Sequence, residues 1–440
     1  MSGQTVFESP VTINSDVCRA GDAKKLLPRT TTYPRLSDAF RNVVTRNEVE
    51  DLVRRALSPD AELVDYHLRP YSEEKIGYLG SHLCLVTATR QPGREELQKR
   101  SFFVKTVPYD VPSQVAYIEE KGCFKKEAAF AESLLPLLTR NYRGVSWTPK
   151  CYLVKKNTLV FEDMKFKGFS NRPKLFDVKT TKAAATCIAR FHASSLLAED
   201  QSKGASLTDV CPVILEESEF VRTGRSYEWY SNAMDFAVWL ANDLGLDSSC
   251  IRRAGELVFD MCRPSANKTN VLSHGDLWSS NFMFDESDQC NLIDFQLIRY
   301  APLAHDLMQF LHLCTTRDLR RRHEREIIQH YYAVLNDNLA VSRYSGPVPS
   351  YEELLQGVEE QRLPALVTAI IFHPTVFMDG KIAASIMNDP DTYEAYYFRD
   401  RVPFVRDIMT RDRAYKENIE ETLRELVELS LKVDGLPRPS

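Results

Sequence analysis

Three oxygen-bearing side chains between Asn270 and Arg299 stand where packing alone does not call for them. In NVLSHGDLWSSNFMFDESDQCNLIDFQLIR, Asp276 sits in a polar loop and Asn281 follows five positions on. Asp294 ends an apolar strand between Ile293 and Phe295. A carboxylate in such company is costly unless it is paired or binds a metal. Asp-x-x-x-x-Asn followed by a strand-ending Asp has a mechanical meaning in phosphoryl transfer. The first Asp orients and accepts the substrate hydroxyl proton, while the Asn and the second Asp hold the magnesium ions that bridge the nucleotide phosphates. The plainer alternative is a β-hairpin with solvated turn residues and one capped Asp. A bare Asp-x-x-x-x-Asn is weak, because both residues are common in loops. His274-Gly275-Asp276, Asn281 and Ile293-Asp294-Phe295 in that order are much more specific.

SHGDLWSSNFMF followed by NLIDFQ resembles the choline-kinase-like (CHK) branch of the aminoglycoside phosphotransferase superfamily. Within it, the similarity is to the arthropod ecdysteroid-kinase-like proteins of the juvenile-hormone-inducible type, from about Asp38 to the 420s. The resemblance implies an α+β, protein-kinase-like two-lobed fold, with a small β-rich N-lobe carrying one key helix and a larger, mainly helical C-lobe. It implies ATP and Mg2+ as cofactors and a hydroxyl on a small molecule as acceptor. It makes His274 a loop-fixing residue rather than a base. It also matches Asp306, in PLAHDL, to an Asp that braces the catalytic loop through its backbone, although Asp306 equally suits a helix N-terminus. Two departures from protein kinases weigh against a protein substrate: the triplet is Asp294-Phe295-Gln296, without the usual Gly, and no Ala-Pro-Glu follows.

The elements needed to position these groups can be read along the chain. Residues 1–35, rich in Ser, Thr and Pro, read as a flexible leader. Thr45 and Glu48 form a capping-box pattern ahead of a Val49, Leu52, Val53 face that Pro59 ends. Segments 61–67, 80–89 and 101–107 read as strands, with a Gln91-Pro92-Gly93 turn. Gly80 and Ser81 occupy the place of a phosphate-covering loop; a hairpin turn explains the spacing about as well, and the resemblance implies nucleotide contact through them. Lys105 lies in the apolar strand FFVKTV, and in the small lobe of a kinase such a Lys meets the α/β-phosphates and pairs with a helical Glu. The predicted helix Lys121–Leu138 has a stripe at 124, 128, 131, 135 and 138 with Glu127 at its margin. The resemblance implies a Lys105–Glu127 pair, with Glu132 as the alternative if the register is misread.

TLVFEDM at 158–164 resembles the hinge where backbone groups meet adenine, placing Glu162 and Met164 at the nucleotide and the lobe boundary at 162/163. An N-lobe 36–162, a C-lobe 163–434 and a frayed tail 435–440 follow. Asp177–Leu197 reads as a helix in which His192 packs without chemistry. Glu216–Cys262 reads as helical and aromatic, its rings core or pocket. Arg317–Arg325 reads as a basic solvated face, and Leu363–Met378 as a buried helix that could border the acceptor.

Whole-chain properties narrow the function class. With 440 residues and a net charge of −5, nothing favours nucleic acid or an anionic membrane as partner. The ten cysteines include no Cys-x-x-Cys pair, so zinc knuckles are not expected. The N-terminus lacks a signal-peptide pattern. The expectation is a reduced, cytoplasmic, monomeric small-molecule kinase whose acceptor is an ecdysteroid or related steroid or xenobiotic alcohol. The alternatives are a choline/ethanolamine-type kinase and a non-catalytic nucleotide-binding scaffold.

Overall fold

The computed structural model describes residues 37–438 apart from 41, 73–76, 95, 203 and 204. The expected leader and the last two residues of the tail lie outside the described residues. The Thr45 cap is formed: its hydroxyl accepts from Glu48 N, and the Glu48 carboxylate takes Thr45 N at 2.8 Å. Helix α1 (Arg46–Ala56) then lays Val49, Leu52 and Val53 on a sheet. That sheet contains β1 (Glu62–Pro70), β2 (Ser81–Arg90) and β3 (Gln98–Thr106), within three residues of the expected strands. β4 (Cys151–Lys155) and β5 (Thr158–Glu162) complete an antiparallel order β1-β2-β3-β5-β4. Lys105 faces inward because the β2–β3 register sets it opposite His82, and the β3–β5 register sets it opposite Leu159.

The helix expected at Lys121–Leu138 is broken instead. Gly122 adopts a left-handed φ of 72°, which ends α2 (Pro112–Lys121) and starts α3 (Cys123–Ala129). Glycine takes that conformation without steric cost, so the chain stops one helix and re-aims the next. A wide π turn (Phe130–Leu134) leads into α4 (Leu135–Arg140), whose Pro136 has no N–H to continue the regular ladder. The interruption leaves Phe124, Leu134 and Leu138 buried and Glu127 among them.

The second lobe is mainly helical. Asp177 caps α5 (Val178–Gln201) by accepting Thr180 N at 2.8 Å. The aromatic stretch folds as α6 (Gly224–Asp243) and α7 (Ile251–Met261), while residues 216–223 stay outside helix. The strands around Asp276 do not form the single hairpin of the plainer alternative. β6 (Asn270–Ser273) pairs with β9 (Arg299–Pro302), and only β7 (Phe282–Phe284) and β8 (Cys290–Leu292) pair as a hairpin. Helix α8 (Ala304–Cys314) follows β9 and packs on α10 (Tyr351–Val376), while α5 packs on α9 (Arg317–Val341). The basic run opening α9 is not simply a solvated face. Arg320 is buried, donates to Thr315 O at 2.6 Å and pairs with Glu425, because an internal carboxylate and carbonyls replace its hydration. Leu363–Met378 is a buried helical segment, as expected. Among the described residues no single helix is long and apolar enough to cross a membrane.

Candidate active site

The loop after β6 is held by its backbone. Asp306, in the first turn of α8, accepts His274 N at 2.7 Å on Oδ2 and Gly275 N at 3.0 Å on Oδ1. His192 sits 3.0 Å from the same Oδ2 and 2.7 Å from the Tyr331 hydroxyl, a packing role with no access to the site. Burial alone would raise the Asp306 carboxyl, but the His192 hydrogen bond and nearby imidazoles hold it down at about 2. Gly275 has φ 76°, and a Cβ there would collide with the Leu297 carbonyl. His274 Nδ1 faces Asp276 N and its Nε2 lies 2.9 Å from Ile293 O, so the neutral Nε2–H tautomer satisfies both. Burial lowers its pKa, in keeping with that neutral form. Gln309, one turn after Asp306, accepts Leu277 N and donates to Gly275 O, both at 3.0 Å.

The remaining groups converge on this loop. Asn281 spends its Nδ2 on Asp276 O at 2.7 Å, leaving its amide oxygen as the free ligand atom. Asp294 has φ 70°, a left-handed conformation uncommon outside glycine and characteristic of sites whose surroundings fix it. Phe295 stacks on Phe130 with ring centroids 3.9 Å apart, which anchors the chain beside Asp294. Lys105 Nζ donates to Glu127 Oε2 at 2.6 Å, to Asp294, and to Gln296 Oε1 at 2.9 Å. Glu132, the alternative partner, is exposed. Burial would strip the proton from Lys105, but the Asp294 and Glu127 carboxylates raise its pKa and keep it charged. Burial also raises Glu127 above its usual range, against the pull of Lys105. Gln296 Nε2 reaches Asp276 Oδ2 at 3.3 Å, so one amide links the lysine to the loop carboxylate. Burial, reinforced by the Asp294 charge, pushes Asp276 up to about 7.

Two cavities meet at Asp294. The first, of about 740 Å³, lies under the sheet and is lined by Lys105, Glu127, Glu162, Met164, Asn281 and Asp294, with apolar side chains between them. The second, of about 550 Å³, is lined by Asp276, Asp294 and Gln296 and by the rings of Tyr78, Tyr117, Trp229, Trp278, Phe372 and Tyr397. Gly80 and Ser81 line neither. Gly80 packs against the Lys105 stem and Ser81 pairs with Thr106 in the sheet. The preceding Tyr78 lines the second cavity, its hydroxyl bonded to Thr375 O at 2.9 Å and its ring 5.5 Å from Trp278. Asp163 holds the strand end, accepting from Tyr71 at 2.8 Å and Ser101 at 2.5 Å.

The donor set at the first cavity fits magnesium. Among the described residues no three His, Cys, Asp or Glu side chains gather to hold a metal by themselves. A carboxylate from Asp294 and an amide oxygen from Asn281 are hard ligands, few in number. That suits a cation that takes its remaining ligands from phosphate and water.

Sequence reasoning missed Gln296 and Gln309 as contacts. Gln296 had a signal, standing two residues after Asp294. Gln309 had one too, three residues after Asp306 on the same helix face.

Several solved structures are similar in outline. An ethanolamine kinase from Plasmodium vivax is 13% identical over 88% of this chain and 98% of its own, with a TM-score of 0.36. A spectinomycin phosphotransferase in complex with ADP and spectinomycin is 11% identical over 88% and 99%, with a TM-score of 0.40. The choline kinase LicA from Streptococcus pneumoniae is 13% identical over 79% and 98%, with a TM-score of 0.33. No curated protein matches the chain in sequence. Residues 77–344 match the ecdysteroid kinase-like family, and the chain belongs to that family.

Proposed function

We propose that this member of the family is an ATP- and magnesium-dependent kinase for a hydroxyl on a small molecule, with an ecdysteroid or related steroid or xenobiotic alcohol as acceptor. The observation that carries the reading is the hydrogen-bonded series Glu127–Lys105–Gln296–Asp276, closed by Asp294, at the junction of two cavities. The first cavity takes the nucleotide, with adenine against Glu162–Met164 and Lys105 at the α/β-phosphates. Phe161–Met164 is the hinge between lobes 36–162 and 163–434. Asp294 and Asn281 hold the cation. Magnesium bound there screens the β/γ-phosphate charge.

Asp276 orients the acceptor hydroxyl and accepts its proton as the oxygen bonds to the γ-phosphorus. The bond to the β–γ bridging oxygen breaks, and its electron pair leaves with ADP. His274 and Asp306 hold Asp276 in place, so the residues do positioning and electrostatic work with little covalent chemistry of their own. Gly80 and Ser81 contribute by setting the chain beside Lys105. The nine cysteines among the described residues are free thiols, in keeping with a reducing compartment; the proposal places the enzyme in the cytoplasm as a monomer, in hormone inactivation or detoxification.

Magnesium-dependent ADP release over a panel of steroids, choline and plant glycosides tests the proposal. Turnover of at least one alcohol, lost in Asp276→Ala, is expected. Activity confined to peptides would sink the small-molecule reading.

A further inference from the structure

We propose that Lys121 and Glu219 form the far end of the acceptor pocket. There they grip a second hydroxyl of a neutral polyol with an apolar body, and they turn away cationic alcohols such as choline. This rests on the reading of the second cavity as the acceptor site.

Lys121 is the last residue of α2, and Glu219 lies in the non-helical segment before α6. Their side chains are only 2% and 1% exposed, yet both line the second cavity with Asp276. At this end of the cavity the two aromatic faces that would welcome an external cation, those of Trp229 and Tyr117, are already occupied. Lys121 Nζ stands 4.9 Å from the Trp229 ring centroid and 5.5 Å from that of Tyr117. A quaternary ammonium entering that space would meet a like charge where it needs the ring quadrupole. The pocket therefore carries its own cation.

The two charged ends have bonding capacity to spare. An ammonium has three donors, and the polar neighbours of Lys121 are the Tyr117 hydroxyl at 3.4 Å and Glu219 Oε1 at 4.0 Å. The second distance is too long for a hydrogen bond. Glu219 Oε1 is buried and has no hydrogen-bond partner among the described residues. A buried acceptor left unmade is costly. An alcohol suits the gap, since its oxygen can accept from Lys121 while its proton goes to Glu219.

Arg299 shares with Lys121 the balancing of the Glu219 charge, but it leaves Oε1 without a hydrogen bond. Arg299 already donates to Glu219 Oε2 at 3.2 Å and to Glu217 Oε2 at 3.1 Å. Glu217 Oε1 in turn caps the backbone N–H groups of Ser218, Glu219 and Phe220, which locks the segment in place. A preorganised donor and acceptor of this kind discriminate strongly against an analogue lacking the matching hydroxyl.

The full-length enzyme, assayed by ADP release with ATP and magnesium, tests this with three acceptors: a polyhydroxylated steroid, its analogues each lacking one remote hydroxyl, and choline. The wild type should favour the polyol over one such analogue by at least about tenfold in kcat/KM, and over choline by more. Lys121→Met and Glu219→Gln should each shrink the polyol-to-analogue ratio to within about threefold, mainly through the KM of the polyol, and Lys121→Met should raise turnover of choline. Purely structural damage would lower both acceptors together and keep the ratio. That result in Glu219→Gln, which preserves shape, overturns the proposal even if Lys121→Met fails to fold. A wild type that prefers choline overturns it as well. Turnover of alcohols without discrimination sinks this inference alone, whereas no turnover and no binding of any alcohol sinks the acceptor reading beneath it.

Discussion

The two cavities on either side of Asp294 are assembled in different ways. The nucleotide-side cavity draws its polar groups from β3, α3, the end of β5 and the β7–β8 region, with a buried ion pair at its centre. The acceptor-side cavity is stitched from the end of α2, the 216–223 segment, α6, α10 and Tyr397, elements far apart in the chain. A triphosphate presents one fixed pattern of charge, which a few short motifs can meet. An alcohol of arbitrary shape has to be met by a surface of many contributors. On the proposed function, the difference places the shared chemistry in local sequence and the choice of acceptor in tertiary assembly.

Substitutions on each side should separate the two. The largest effect is expected at Asp276, where Ala should lower kcat by about a thousandfold while nucleotide affinity, read by calorimetry, stays within about threefold. Equal loss of nucleotide binding would erase the division between the cavities. Asp294→Ala should weaken magnesium-nucleotide binding by ten- to a hundredfold, in line with loss of one metal ligand. Because Asp294 borders both cavities, acceptor KM should rise too. Phe372→Ala, which removes a ring 5.9 Å from Trp229, should raise acceptor KM by about tenfold with nucleotide KM unmoved.

A further test concerns the support beneath both sides. The carboxyl of Asp306 titrates at about 2 in the fold against a model-peptide value near 3.8. Its folded value is the lower one, so its contribution of about 2 kcal/mol is present above pH 4 and lost as pH falls towards 2. Urea unfolding of wild type and Asp306→Asn should therefore differ at pH 7 and converge in acid. The smallest effect is expected for Glu132→Ala, an exposed residue, which should leave stability within about 0.5 kcal/mol. An effect as large as that of Glu127→Ala would show the wrong helix face at Lys105.

Legibility in the sequence followed the same division. Asp276, Asn281 and Asp294 could be read because short spacing and apolar flanks make polar residues conspicuous, and the structure brings them together. Lys105 and Glu127 were readable as an odd cation on an apolar strand and an odd anion beside an apolar stripe. The break at Gly122 was not, since the apolar pattern of 124–138 continues smoothly while only one backbone angle changes hand. That one angle separates α2 from α3 and sends Lys121 towards Trp229 instead of along the Glu127 helix. Glu219 was invisible for another reason: it lies in a stretch of acids, and nothing local marks which of them faces inward. Trp229 is one of several rings between Glu216 and Cys262, and only the contacts of α10 and α2 pick it out.

Gly275 has a mechanical consequence. With no room for even a methyl group against the Leu297 carbonyl, the turn bearing Asp276 and the loop that carries Asp294 and Leu297 abut directly. They are cast as a single block, with its spacing set by backbone thickness. Whatever yields to let ligands in and out has to do so around that block.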